Sequence, residues 1–281
     1  MPRTGLPRLV ATDLDGTLVR GDDTVSAFTH AVLDRVRAAG IAVVGATGRG
    51  PRLAELTRND IRSADYLVMA GGGWVVDQSR PGRARMLHEV RLPGSVLHDV
   101  ITDLEARVGA MTVIVEALDT PGAALWGDYD PVWRYPERFE SRTRLDCVAG
   151  DVIKAFFRSP AYDVDDFLAI ARAVVGDRAT LTQAGLGFVE VSPPRVDKAS
   201  GLAVVAAAVG VEPEDVLVFG DMPNDLPMFH WAGWGKVAVA NAHPDLHAAA
   251  TDVTLSNNDN GVAVYLDRLL RRAERLQPRA A

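Results

Sequence analysis

The stretch Asp13-Leu14-Asp15-Gly16-Thr17-Leu18 decides how the chain is read. It follows the apolar run Leu9-Val10-Ala11, which predicts a short strand ending where the carboxylates begin. Side chains alternate along an extended backbone, so Asp13 and Asp15 point the same way. Gly16 lets the chain turn, and Thr17 offers a hydroxyl just past the strand end. Two like charges side by side at a buried strand tip repel and need a compensating partner. A divalent cation is the obvious candidate. Alone, the motif also reads as an acidic turn after an edge strand, and what separates the two readings lies downstream.

From that motif the chain alternates between helix and strand signals. Ser26 is placed to cap a helix running to Ala39, with Phe28, Val32 and Val36 on one face and Gly40 ending it. Residues 41–46 form a continuous apolar run, as in a strand buried on both faces, and lead into Thr47-Gly48-Arg49. Pro51 suits the first turn of a helix through about Asn59, and residues 66–69 read as a third strand before Gly71-Gly72-Gly73. That order is the order of a parallel sheet wound with helices.

The middle has a different texture. Residues 74–77 and 86–90 read as paired strands about a Gly/Pro/Arg-rich turn at 79–83. A helix is expected over 96–108, strands over 112–117 and 152–157, and a helix capped by Asp163 over 164–175. Residues 180–182 and 188–190 alternate like exposed antiparallel strands, while 126–144 is irregular, aromatic and arginine-rich. The wound pattern then returns, with helices at 198–209, 224–231, 244–250 and from Gly261, and strands at 215–220, 236–240 and 253–255. The expected fold is α/β: a doubly wound, mostly parallel, Rossmann-like core from residues 1–87 and 190–281, with an inserted α+β domain at 88–189.

The 281 residues, 48% hydrophobic and 24% charged, suit one large soluble domain or two modest ones. A net charge of −7 disfavours nucleic-acid binding through phosphate neutralisation. Cys147 is the sole cysteine, which excludes an intrachain disulfide and reads as a small buried apolar residue. No apolar run is long enough to span a membrane and the N-terminus lacks a secretory core, so a cytoplasmic protein with no membrane partner is expected.

In an open α/β sheet the carboxyl ends of parallel strands line one crevice. Here those ends carry Asp13 and Asp15, Thr47, and Gly220-Asp221-Met222-Pro223-Asn224-Asp225, and Lys198 begins a helix near the same edge. The acids would gather about one hard cation, for which oxygen ligands favour Mg²⁺. Thr47, the turn amides near Gly48 and the Lys198 ammonium would surround an anion with donors. Together these describe a phosphoryl-transfer site.

The segments DLDGTL, ATGR, VDKASGL and GDMPNDLPM resemble the four motifs of the haloacid dehalogenase-like phosphatases. The large insert between the second and third motifs is similar to the type C2 cap of the Cof-type subfamily, as are Asn241-Ala242-His243-Pro244 and residues 257–262. The resemblance covers nearly the whole chain. It implies that Asp13 is the nucleophile, becoming an aspartyl phosphate, and that Asp15 moves protons to the leaving group and from water. It implies phosphate contacts from Thr47, Gly48, Lys198 and Asn224, and Mg²⁺ on Asp13, the Asp15 carbonyl and Asp221, supported by Asn224 and Asp225. Arg49 either touches substrate or packs. Where the family often has Asn before the glycine-rich turn, this chain has Ala70.

The function expected is a Mg²⁺-dependent phosphomonoesterase for a small phosphorylated metabolite, with a sugar phosphate favoured. A sugar phosphomutase is the alternative within enzymes, and a phosphoacceptor or silent binding protein is the alternative outside them. Two further features carry double readings. Trp126, Tyr129, Trp133, Tyr135 and Phe139 with Arg134, Arg138, Arg142 and Arg144 form either a substrate-facing patch or a cap mini-core or subunit contact. His243 and His247 have the i, i+4 spacing of helix-borne metal ligands but no third ligand, so they read as surface histidines.

Overall fold

The computed structural model describes residues 5–80, 82–133, 138–183, 185 and 187–276. The strands are β1 (Leu9–Thr12), β2 (Ala42–Ala46), β3 (Tyr66–Met69), β4 (Trp74–Arg80), β5 (Arg83–Glu89), β6 (Thr112–Glu116), β7 (Leu125–Gly127), β8 (Phe139–Ser141), β9 (Lys154–Arg158), β10 (Thr180–Gln183), β11 (Val189–Ser192), β12 (Val216–Gly220), β13 (Gly235–Ala238) and β14 (Asp252–Val253). Among the described residues they form two sheets. The α-helices are α1 (Ala27–Ala38), α2 (Ala54–Asp60), α3 (Gly94–Val108), α4 (Arg144–Cys147), α5 (Val164–Val175), α6 (Lys198–Val209), α7 (Leu226–Trp231), α8 (Pro244–Ala249) and α9 (Gly261–Leu276).

The first sheet runs β14-β13-β12-β1-β2-β3-β4-β5, parallel as far as β3 and antiparallel beyond it. Its apolar strands are covered on both faces. Val10 and Val43 pack with Val32, Leu33 and Val36 of α1 and Leu266 and Leu270 of α9, all buried. Leu9, Ala11 and Val44 pack with Leu202 and Val205 of α6, Met228 and Phe229 of α7 and Leu246 of α8. Each such buried aliphatic side chain contributes about 1.5–3 kcal/mol of transfer free energy. The fold is the α/β doubly wound type that the residue pattern predicts.

The second sheet, in the order β10-β11-β9-β6-β7-β8, packs helices on one face among the described residues. Val113, Val115, Ala155, Phe157, Val189 and Val191 meet α3 and α5 there. The alternate residues of the same strands point the other way, toward the carboxyl edge of the first sheet, and they include Glu116, Lys154 and Glu190.

Several details differ from expectation. Ser26 does cap α1, its side chain accepting from the Thr29 amide at 3.0 Å, but Phe28 is 44% exposed. The buried face centres between Val32, Leu33 and Val36, and at 3.6 residues per turn Phe28 falls about a quarter turn away. The hairpin β4–β5, grouped by texture with the middle of the chain, extends the first sheet, because β4 pairs with β3 along its length. β5 runs to Glu89 in the first sheet and β11 to Ser192 in the second, so the strands change sheets two or three residues beyond the positions 87 and 190 read from sequence. The segment read as irregular contains β7, β8 and the start of α4; elements of three or four residues are too short to show a period. Arg134 and Tyr135 of that segment lie outside the described residues.

Candidate active site

β1 is flanked by β2 and β12, with Thr12 across from Gly45 on one side and Phe219 on the other. The three strands therefore end level, and each delivers its next residues to one crevice: Asp13 after β1, Thr47 after β2 and Asp221 after β12. The Asp13 amide still donates to the Phe219 carbonyl at 3.0 Å, so the nucleophile candidate is fixed by the sheet itself. Gly16 adopts φ +83°, and a Cβ there would stand 2.4 Å from Asp221 Oδ2. Only glycine tolerates both the conformation and the approach. Thr17 donates its hydroxyl to Asp221 Oδ1 at 2.7 Å. Asn241 donates to the Gly16 carbonyl at 2.8 Å, and the amide of His243 to the Asp221 carbonyl at 2.7 Å, which tie this turn to the later loops.

Lys198 opens α6, whose N-terminus is capped by Asp197 accepting from the Ser200 amide at 2.8 Å. Its ammonium donates to Asp13 Oδ1 at 2.5 Å and to Asp225 Oδ1 at 2.6 Å, with all three groups buried. Burial opposes the charge on Lys198, but Asp13 and Asp225 outweigh it and raise its pKa above the ordinary lysine value. Burial pushes the Asp13 carboxyl well up, against the pull of Lys198, with Asp225 and Asp221 adding to the rise. Burial, aided by Asp225, pushes Asp221 up to about 6.

Carboxylate oxygens of Asp13, Asp221 and Asp225 lie within 4.8 Å of one another, more negative charge than one lysine neutralises. Asn224 Oδ1 is buried with no hydrogen-bond partner. This all-oxygen donor set could hold a divalent cation. Asp225 is the least available of the three: besides Lys198 it accepts from the amides of Asp221 at 2.9 Å and Met222 at 3.1 Å.

Asp15 has a different environment. Both its oxygens accept from Arg49, at 2.6 and 2.8 Å, and Arg49 reaches Asp60 with its other terminal nitrogen at 2.6 Å. Between substrate contact and packing, Arg49 is thus found holding Asp15, although it also borders the cavity. Asp60 was not singled out in the sequence; it sits at the end of α2, where nothing in its neighbours marks it. Ala70, at φ +52°, donates its amide to the Arg49 carbonyl at 2.8 Å. Asn accepts that left-handed backbone more readily than Ala, which gives the family's frequent Asn a conformational reason.

Asp13, Asp15, Thr47, Gly48, Arg49 and Asn224 border one cavity of about 50 Å³. Trp133, Phe156 and Glu190 close it from the second sheet. Lys154 pairs with Glu190 at 2.8 Å and donates to the Gly48 carbonyl at 3.0 Å, while Glu116 pairs with Arg52 and accepts its amide at 3.1 Å. These three charged residues were missed. A lone charge within each apolar strand, as in Val-Ile-Lys-Ala-Phe-Phe and Phe-Val-Glu-Val, was the available signal, since such a group is rarely buried without a partner.

The sequence matches the family described as haloacid dehalogenase-like hydrolase over residues 10–266. This chain is a haloacid dehalogenase-like hydrolase. It is 26% identical over 294 residues to the 5-amino-6-(5-phospho-D-ribitylamino)uracil phosphatase YwtE of Bacillus subtilis, covering 94% of this chain and 98% of that one. It is 26% identical over 266 residues to the phosphoglycolate phosphatase of Methanothermobacter thermautotrophicus, covering 94% and 99%. The solved structure of a subclass IIB sugar phosphatase of the superfamily superposes with a TM-score of 0.78 at 17% identity, covering 93% of this chain and 98% of that one, which shows a shared fold. The chain is a phosphatase of this family, of the Cof type.

Within the phosphatase, the aromatic and arginine-rich segment divides. Trp133 meets Phe156 and Phe188 edge-on at 4.8 and 5.3 Å and borders the cavity. Arg142 instead stacks over Trp126 at 5.1 Å and pairs with Glu140, and Arg144 pairs with Asp128 and Glu105. His243 Nδ1 accepts from the Asp245 amide at 3.2 Å and caps α8. Cys147 is buried, and burial pushes its thiol up to about 11, which makes it inert at neutral pH. Among the described residues no helix is long and apolar enough to cross a membrane.

Proposed function

We propose that this phosphatase is a cytoplasmic, Mg²⁺-dependent phosphomonoester hydrolase that acts through an aspartyl phosphate on a small phosphorylated metabolite, a sugar phosphate by preference. The observation that carries the reading is the contrast between the two carboxylates of the opening motif. Asp13 is buried against Lys198 beside Asp221, whereas Asp15, on the cavity wall, is held directly by Arg49. The first would attack and the second would exchange protons.

In the first half-reaction an Asp13 oxygen would bond to phosphorus as the ester P–O bond breaks, and Asp15 would pass a proton to the departing alkoxide. In the second, water would attack phosphorus, the bond to Asp13 would break, and the water's proton would go to Asp15. Inorganic phosphate leaves and Asp13 is regenerated. Thr47, the Gly48 amide, Asn224 and Lys198 would hold the phosphoryl oxygens throughout, and Arg49 would keep Asp15 aimed. Mg²⁺, on the Asp13 and Asp221 carboxylates and the Asp15 carbonyl with Asn224 and Asp225 in support, would neutralise charge building on the phosphoryl group.

The region of residues 88–189 would act as the cap, excluding water and selecting the leaving group. The two curated relatives are named for different small monoesters, which supports the class and leaves the sugar preference to the sugar phosphatase of like fold and to the aromatic cavity wall. The test is release of inorganic phosphate from a panel of phosphorylated metabolites with Mg²⁺ and with EDTA, together with Asp13→Asn. Mg²⁺-dependent release that disappears in the variant is expected. Isomer formation without release would make the chain a mutase, and full activity of Asp13→Asn would remove the covalent step.

A further inference from the structure

We infer that Glu190, held by Lys154, is the residue that selects the leaving group, and that the group selected is an uncharged polyol. The inference deepens the phosphatase reading and rests on it. Glu190 projects from β11, which lies between β10 and β9 in the second sheet, and its carboxylate lies directly over Gly48: a Cβ on Gly48 would stand 3.3 and 3.4 Å from its two oxygens. It therefore sits beside the loop that would hold the phosphoryl group, where it meets the part of the leaving group nearest the ester oxygen.

The charges around that position decide the chemistry. Among the described residues that line this cavity each cation is already matched, Arg52 by Glu116 and Arg49 by Asp15 and Asp60, and Lys154 beside it is matched by Glu190. A second anionic group on the substrate, such as a carboxylate or another phosphate, would meet no uncompensated cation among these residues and would face Glu190 itself. A carboxylate can accept several hydrogen bonds, and the ion pair with Lys154 uses only part of that capacity. Hydroxyl groups supply the donors it lacks. Phe156 stands across from Glu190 in the strand register, with Trp133 edge-on to it at 4.8 Å, so the apolar C–H face of a carbon chain has an aromatic wall to lie on. A carboxylate acceptor beside aromatic rings, with no spare cation among the described lining residues, fits a neutral sugar or sugar alcohol.

The experiment compares kcat/KM of the full-length protein with Mg²⁺ on hexose, pentose and pentitol monophosphates, on phosphoglycolate, and on p-nitrophenyl phosphate, whose leaving group has no further hydroxyl. The wild-type protein should prefer a polyol monophosphate to phosphoglycolate. Glu190→Ala should lower the ratio of polyol to p-nitrophenyl phosphate activity about 10- to 100-fold, the loss of a hydrogen bond to a charged acceptor. In the wild type, a deoxy analogue lacking the contacted hydroxyl should lose the same factor, and in Glu190→Ala it should lose little more. Because Glu190→Ala leaves Lys154 without its partner, Lys154→Met/Glu190→Leu provides a variant with both charges removed, and the same selective loss is expected in it. An equal fall on every ester, or phosphoglycolate as the preferred substrate, overturns the inference while leaving phosphatase activity intact. Absence of hydrolysis of every ester, p-nitrophenyl phosphate included, overturns the phosphomonoesterase reading itself.

Discussion

Arg49 grips both carboxylate oxygens of Asp15, at 2.6 and 2.8 Å, in the two-pronged geometry that only a guanidinium offers. The carboxylate assigned to proton transfer is therefore held in one orientation by a side chain that is itself anchored on Asp60. Arg49→Lys keeps the charge and loses the fork. It should lower kcat by about 10- to 100-fold, a good part of what a positioned acid contributes, with a smaller change in KM. Asp60→Asn should act in the same direction but more weakly. Steady-state kinetics on any accepted ester checks both, and an unaltered kcat in Arg49→Lys would show that the grip has no catalytic consequence.

Lys198 is the single ammonium between Asp13 and Asp225. Lys198→Met leaves two buried carboxylates facing each other, so it should cost about 3–5 kcal/mol of stability as well as abolishing turnover. Urea denaturation in EDTA reads the stability, and a loss below about 1 kcal/mol would contradict the burial of this triad.

Asp221, pushed up to about 6, gives the metal-free protein a signed pH dependence. Its folded pKa exceeds the unfolded value, so the folded state keeps a proton that the unfolded state releases. The stabilisation is complete below the unfolded pKa and is lost as pH rises toward 6. Relative to Asp221→Asn, the wild type in EDTA should therefore lose on the order of 2 kcal/mol between pH 4 and pH 6.5. Mg²⁺ binding requires the deprotonated form, so its apparent affinity should weaken as pH falls below 6. Denaturation curves and Mg²⁺-dependent melting shifts across that range test both signs.

Gly16→Ala would place a methyl 2.4 Å from Asp221 Oδ2 on a backbone at φ +83°. The strain and the clash should together destabilise the protein by about 2–3 kcal/mol and push Asp221 out of line. Thermal unfolding with and without Mg²⁺ should show a lower midpoint and a reduced Mg²⁺-dependent gain. A variant with wild-type Mg²⁺ response would mean that the turn relaxes freely.

The elements legible in the sequence were those with long, regular signals. The apolar runs at 41–46 and 215–220 and the capped helix at Ser26 gave the wound sheet directly, and the placement of Asp13, Thr47 and Asp221 followed from strand ends. The partners of Arg49 were not legible, because Asp15 and Asp60 meet it only after two strands and a helix have packed. The three-residue strands β7 and β8 carry no period. Glu116, Lys154 and Glu190 were visible as isolated charges in apolar strands, but their meaning depends on strand register, which brings Glu116 opposite Lys154 and Glu190 opposite Phe156.

The loop Gly48–Arg52 is bonded from the second sheet at four points: Lys154 on the Gly48 carbonyl, Glu116 on the Arg52 amide and guanidinium, and the Gly122 amide on the Arg52 carbonyl. This is the same loop that would cradle the phosphoryl group. Separating the two sheets must break these bonds and expose Arg52, Glu116, Lys154 and Glu190 to water at one stroke. Any motion that parted the sheets would therefore also unmake the phosphate cradle, and a ligand that ordered the loop would favour the paired sheets without touching the second one.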